Sequence, residues 1–135
     1  MGSSPNRLVA TIFGAVYLLV GLLGFAATGG VAFAGPDGGL LLGIFQVNPL
    51  HNIAHLLIGA ALLIAGLANA RAAKTVNIIV GLAYLLLGIV GFFLVGPANF
   101  LALNVPDHFL HLGSAVVLLA VGLAADKNVR SVATA

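Results

Sequence analysis

The sequence contains no cysteine. That excludes disulfides, thiolate metal sites, a lipid-modified cysteine and cysteine nucleophiles. It is also poor in charge, with only 6% Asp, Glu, Lys and Arg against 61% hydrophobic residues. A soluble domain carries about 25% charged residues and needs them to cover its core. With so few, lipid must do the covering. The small positive balance comes from Lys and Arg flanking apolar stretches, so it reads as membrane topology and not as a nucleic-acid surface. No phosphate-binding loop, nucleophile elbow or kinase motif is present. His51 and His55 form an HxxxH pair, but Asn52, Ile53 and Ala54 fill the gap, so the glutamate of a zinc protease is missing.

What remains is long uncharged runs. No charge falls between Arg7 and Asp37, between Lys74 and Asp107, or between Asp107 and Asp126. A spanning helix needs about 20 mostly apolar residues. The runs predict helices at roughly 8–27, 49–69, 75–95 and 105–125. Only helices or a closed barrel satisfy the backbone inside lipid, and the lack of period-two alternation argues against a barrel. The expected fold is all-α, a four-transmembrane-helix bundle in a single membrane domain covering residues 1–135.

Orientation follows from the cations. Arg7 precedes the first span, Arg71 and Lys74 are expected in the short second loop, and Lys127 and Arg130 follow the fourth span. All five fall on one side, while Asp37 and Asp107 fall on the other. Both chain ends are therefore expected in the cytoplasm. A rival reading takes Arg7, the apolar run and Ala32-Phe33-Ala34 as a cleaved secretory signal. The run is longer than the roughly 7–15 apolar residues such a signal carries.

The chain reads as an internal duplication. Gly14, Tyr17, Gly21, Gly24 and Phe25 match Gly81, Tyr84, Gly88, Gly91 and Phe92 without a gap. Asn48 through Leu67 then aligns with Asn104 through Leu123, pairing His55 with His111 and Gly66 with Gly122. Repeat 1 covers about 7–70 and repeat 2 about 74–126. Each holds two spans, so the halves are parallel helical hairpins related by an axis along the membrane normal. The Gly and Tyr positions share one helix face. That face is either a close-packing seam, which also allows a dimer through the glycines, or it points two tyrosine hydroxyls at a site inside the bundle.

Asn48-Pro49 and Asn104 with Pro106 are helix starts, with Asn as the cap. Just beyond them, His51 and His55 are i, i+4 neighbours, as are Asp107 and His111. Under the alignment His51 matches Asp107, His55 matches His111, and His108 matches Asn52. If these faces meet at the axis, His51, His55, Asp107 and His111 converge, with His108 as a variant member. Three imidazoles and a carboxylate suit zinc or iron. His55 and His111 also lie at one depth, about 10 Å inside the helix start, from which they could grip a haem on its two faces. Ionisable groups within a span are costly and point to function. The plainer reading is that the imidazoles hydrogen-bond across helices, or to Tyr17, Tyr84, Asn48, Asn52 or Asn104, and hold the hairpins together. The apolar stretches Leu40 to Val47 and Phe100 to Val105 lie in the interface or fold over the cluster as a lid.

The stretch from Asn48 to Gly59, with His51, Asn52, His55, Leu56 and Gly59, and the later Asn104 to Leu112 with Asp107, His108 and His111, resembles a bacterial, actinobacterial-type membrane family. It is the domain of unknown function numbered 4383. The resemblance covers nearly the whole chain. It implies four helices and a bacterial membrane, and it implies no activity. A looser similarity in shape links the chain to small four-helix oxidoreductase subunits, whose thiol versions the lack of cysteine excludes. Three functions follow as expectations: a structural or accessory subunit of a homo-oligomer or larger complex, a metal- or haem-binding protein, and an enzyme at the outer leaflet using Asp107 or a histidine as acid or base.

Overall fold

The computed structural model describes residues 3–129. Arg130, used above for orientation, lies outside the described residues. Four helices dominate: α1 (Pro5–Gly24), α2 (Pro49–Ala68), α3 (Ala70–Val90) and α4 (Val105–Ala124). All four are long and apolar enough to cross a membrane. Short 3-10 turns extend α1 through Phe25–Ala27 and α3 through Gly91–Phe93. A two-stranded antiparallel hairpin, β1 (Gly39–Leu41) and β2 (Phe45–Val47), precedes α2. Leu40 pairs with Gln46 across it.

The outward surface is apolar, with Leu19, Leu57, Ile64, Leu86 and Leu123 all exposed. Polar groups face inward: Asn6, Lys74, Asn77, His51, His55 and His111 are buried. This distribution belongs in lipid. α1 packs on α2 and α3 on α4 with nearly touching backbones. A Cβ built on Gly14 would collide with the backbone of Leu63, and one on Gly59 would lie 2.9 Å from the Gly14 carbonyl. In the other pair, a Cβ on Gly81 would sit 2.8 Å from Leu119. The two pairs meet through Tyr17 and Tyr84, whose ring centroids are 5.2 Å apart.

Each start is capped as the sequence dictates. Ser4, Asn48 and Asn104 accept from the amides of Arg7, His51 and Asp107, and a proline opens each first turn. Asn48 also donates through Nδ2 to the carbonyls of Gly35 and Phe100, which ties both loops to α2. Asn48→Ala removes the cap and both loop contacts, although the Phe100 carbonyl keeps the Gly35 amide as a donor. It is expected to cost about 2–3 kcal/mol, read as a lowered thermal midpoint in detergent.

Two expectations need correction. The third helix starts at Ala70, not near 75, because the single residue Asn69 both ends α2 and caps α3, accepting from Ala72 at 2.8 Å. Arg71 and Lys74 consequently stand inside α3 and not in a loop. The stretch from Leu40 to Val47, expected in the interface or as a lid, is mostly a short hairpin. Leu42 and Gly43 adopt positive φ angles of 56° and 72°, the left-handed pair that closes a tight hairpin turn.

The end carrying both termini is held by a polar clasp. Arg7 donates to the carbonyls of Gly66 and Leu67 at the end of α2. Lys74 donates to those of Gly122 and Ala125 at the end of α4. Cations at helix C-termini are favoured by the dipole. Asp126 accepts at Oδ2 from Ser4 Oγ and from both nitrogens of Asn6, at 2.8–3.1 Å. Burial pushes this carboxyl up, but the bonds from Asn6 and Ser4 and the charge of Lys74 outweigh it, so its pKa lies below the ordinary value. A carboxylate with a depressed folded pKa stabilises above its unfolded value and loses that contribution as pH falls through the folded one. The clasp is therefore expected to hold at all pH above about 4 and loosen in stronger acid. Asp126→Asn, which keeps the left-handed backbone tolerable, should narrow the gap in thermal midpoint between pH 7 and pH 3, each taken as about those values.

Candidate metal centre

Three buried imidazoles meet near the loop end of the bundle. His51, His55 and His111 each offer a ligand atom, and these atoms lie within 4.8 Å of one another. The ring centroids form a triangle of 4.4, 5.9 and 6.0 Å. All three side chains are at most 3% exposed. The i, i+4 spacing in α2 delivers the first two, and α4 delivers the third.

The hydrogen bonds assign a tautomer to two of these rings. His51 Nδ1 stands 3.0 Å from the Leu101 carbonyl, which can only accept, so this nitrogen carries the proton. Its Nε2 is then a bare lone pair, facing His55 Nε2 at 3.1 Å. A proton bridges the two nitrogens in the absence of an ion. Around zinc, with bonds of about 2.0–2.1 Å, two tetrahedral nitrogens stand about 3.3 Å apart. A cation can therefore take that place with little movement of the rings, the displaced proton passing to Nδ1 of His55. The carbonyl contact on the far nitrogen is the outer support that metal-binding histidines generally have.

The third imidazole has no such satisfaction. Neither ring nitrogen of His111, nor Nδ1 of His55, finds a hydrogen-bond partner among the described residues. Unpaired polar groups cost several kcal/mol within a membrane. The walls are largely aromatic, and the Tyr84 hydroxyl in them also has no hydrogen-bond partner among the described residues. Tyr84 stacks on His111 with centroids 5.0 Å apart and planes 9° from parallel. Tyr17 lies 5.1 Å from His55. The hydroxyl of Tyr17 points elsewhere, to Ser114 Oγ at 2.6 Å.

The remaining candidates are placed differently from expectation. Asp107 does not join the three imidazoles: its Oδ2 turns back to the amide of Asn104, completing a capping box, while its buried Oδ1 has no hydrogen-bond partner among the described residues. His108 also stands apart, its ring 4.5 Å from Phe92 and against Gly91. Asn52 bonds Thr28, Asn48 binds the loops, and Asn104 donates to Ile44 as well as capping, so none of the three bonds an imidazole ring. A haem does not fit between His55 and His111, because His51 stands beside both rings and the two tyrosines close the other side. The sequence reading missed Ser114 and the Leu101 carbonyl. Ser114 was findable, since it lies three residues after His111 on the same helical face; a backbone carbonyl from a loop leaves no mark in sequence.

Four apolar helices around a buried polar cluster define a polytopic membrane protein. The chain belongs to the family described as Domain of unknown function (DUF4383), whose model matches residues 7–124. No curated protein and no solved structure matches it.

Proposed function

We propose that this protein is a membrane metalloprotein that holds one divalent transition metal, zinc or iron(II), on His51, His55 and His111. The observation that carries the reading is the group of three buried imidazoles whose ligand atoms lie within 4.8 Å of one another. Closing the third ring onto an ion takes a shift of at most about 1.5 Å. Asp107 is not one of the grouped ligands, but it sits one turn before His111, and its Oδ1, without a hydrogen-bond partner among the described residues, can balance part of the charge of the ion. Such an ion would staple α2 to α4 beneath the loops, a structural role that suits a small accessory subunit of a larger membrane complex. A metal-free accessory protein is the second reading, favoured by the direct His51–His55 hydrogen bond.

The same proposal takes the two halves as repeats about one axis. Arg7 on Gly66 and Lys74 on Gly122 support this, since they occupy matching places in the alignment. It also sets the protein in a bacterial inner membrane, as the family resemblance implies, with the termini in the cytoplasm, on the strength of Arg7, Arg71, Lys74 and Lys127 gathering at one end.

A chelator tests the reading. Phenanthroline added to the purified protein is expected to lower the thermal midpoint, and a small excess of zinc should restore it. A saturating metal at about 100 times its Kd contributes about 2.7 kcal/mol. No shift with either reagent would favour the metal-free protein.

A further inference from the structure

A cleft of about 390 Å³ runs between α1 and α4, lined by Ile12, Val16, Tyr17, Phe109, Gly113 and Ser114 among others. Ile12, Val16 and Phe109 are half or more exposed, so the cleft opens sideways, toward lipid. Its floor holds one polar feature, the hydrogen bond between the Tyr17 and Ser114 hydroxyls. The volume falls in the lower part of the range for small-molecule sites.

Gly113 singles this cleft out. Glycine within a helix is disfavoured relative to alanine, so each one needs a reason. For every other glycine inside α1–α4 the reason is contact, since an added Cβ would meet a neighbour within 4 Å. At Gly113 it would meet nothing. The packing of the chain on itself does not require a glycine there. An occupant of the cleft does, because a side chain at this position would project into the space.

We propose that the cleft binds a single-chain apolar molecule dissolved in the bilayer, with one alcohol or ketone oxygen seated on Tyr17 and Ser114. Two hydroxyls bonded to each other still have lone pairs to accept with and one proton to donate, which an occupant's oxygen takes in competition with the neighbouring Tyr84 hydroxyl. Depth excludes a phospholipid headgroup. Ser114 lies nine residues into α4, about 14 Å below the helix start and near the middle of a hydrocarbon core about 30 Å thick. The two hydroxyls on the floor favour an occupant with an oxygen over an apolar partner helix, which would offer them nothing. The site does not depend on a bound metal, although Tyr17 forms a wall of both.

The test uses the full chain in phospholipid nanodiscs with a long-chain alcohol bearing a photoreactive diazirine. Crosslinks are expected to concentrate on the segments 12–20 and 109–117. Excess unlabelled long-chain alcohol should compete. Gly113→Leu should reduce labelling about tenfold. Gly113→Ala, which extends only a methyl into the cleft and improves helix propensity, should keep or raise the thermal midpoint while reducing labelling several-fold. Tyr17→Phe should weaken labelling by the alcohol and leave that of the matching alkane unchanged. Even labelling of all lipid-facing helix surfaces, labelling that survives both Gly113 variants, or crosslinks to a second protein chain would each overturn the proposal.

Discussion

Gly14→Leu is expected to abolish the fold of the first hairpin. The backbones of α1 and α2 approach so closely that even one methyl at Gly14 collides with Leu63 and reaches 2.8 Å from the Gly59 carbonyl. The obstruction is backbone and not a movable side chain, so the helices must separate. Separation exposes polar groups that pair across the seam: the Arg7 contact to Gly66 is lost, and Asn52 leaves Thr28. In membranes, helix association depends on such close packing and interhelical hydrogen bonds, with no hydrophobic drive to replace them. A loss above about 4 kcal/mol is expected, seen as aggregation in gel filtration and disappearance of the thermal transition. Gly14→Ala should fall between this and wild type. Gly14→Ala and Gly59→Ala act on the same contact, so their costs should not add. A folded, wild-type-like Gly14→Leu protein would show that the two helices do not touch here.

The second large effect concerns the imidazoles. His111→Ala is expected to weaken zinc binding more than about a hundredfold, a larger loss than supporting groups produce. Its effect on stability separates the two readings of the site. If the ring serves as a ligand, the variant matches wild type in chelator and falls below it only when metal is present. If the ring serves only as a packing partner of Tyr84, the deficit is the same with and without metal. His55→Ala should behave like His111→Ala with respect to zinc. It also removes the partner of His51 Nε2, so a deficit in chelator is expected for this variant alone. The measurement is the thermal midpoint of each variant with phenanthroline and with zinc.

Much of the scaffold was legible because the membrane makes it so. Uncharged runs fix four spans, and Asn-Pro at 48 and 49 fixes where α2 starts. The third start was misplaced because Arg71 and Lys74 look like loop residues. In fact Asn69 allows α3 to begin at once, and Lys74 turns inward to the carbonyls of Gly122 and Ala125. The hairpin at 39–47 was hidden because three-residue strands are too short to show a period, and its turn seats Leu42 where glycine or asparagine is usual. At the site, helical spacing correctly placed His51 beside His55. It left Asp107 two roles, partner of the Asn104 cap at the third helical position or member of the cluster, and could not tell that Oδ2 takes the first. Nor could it reveal that Gly113 alone among the glycines of the four helices has open space before it, since only coordinates show what a missing side chain would have touched.

Elemental analysis of the protein purified without chelator tests the central claim most directly. One zinc or iron per chain is predicted, reduced to background in His55→Ala and His111→Ala proteins that remain folded. A wild-type protein that keeps its fold and takes up no metal, even after incubation with excess zinc or iron(II), would contradict it.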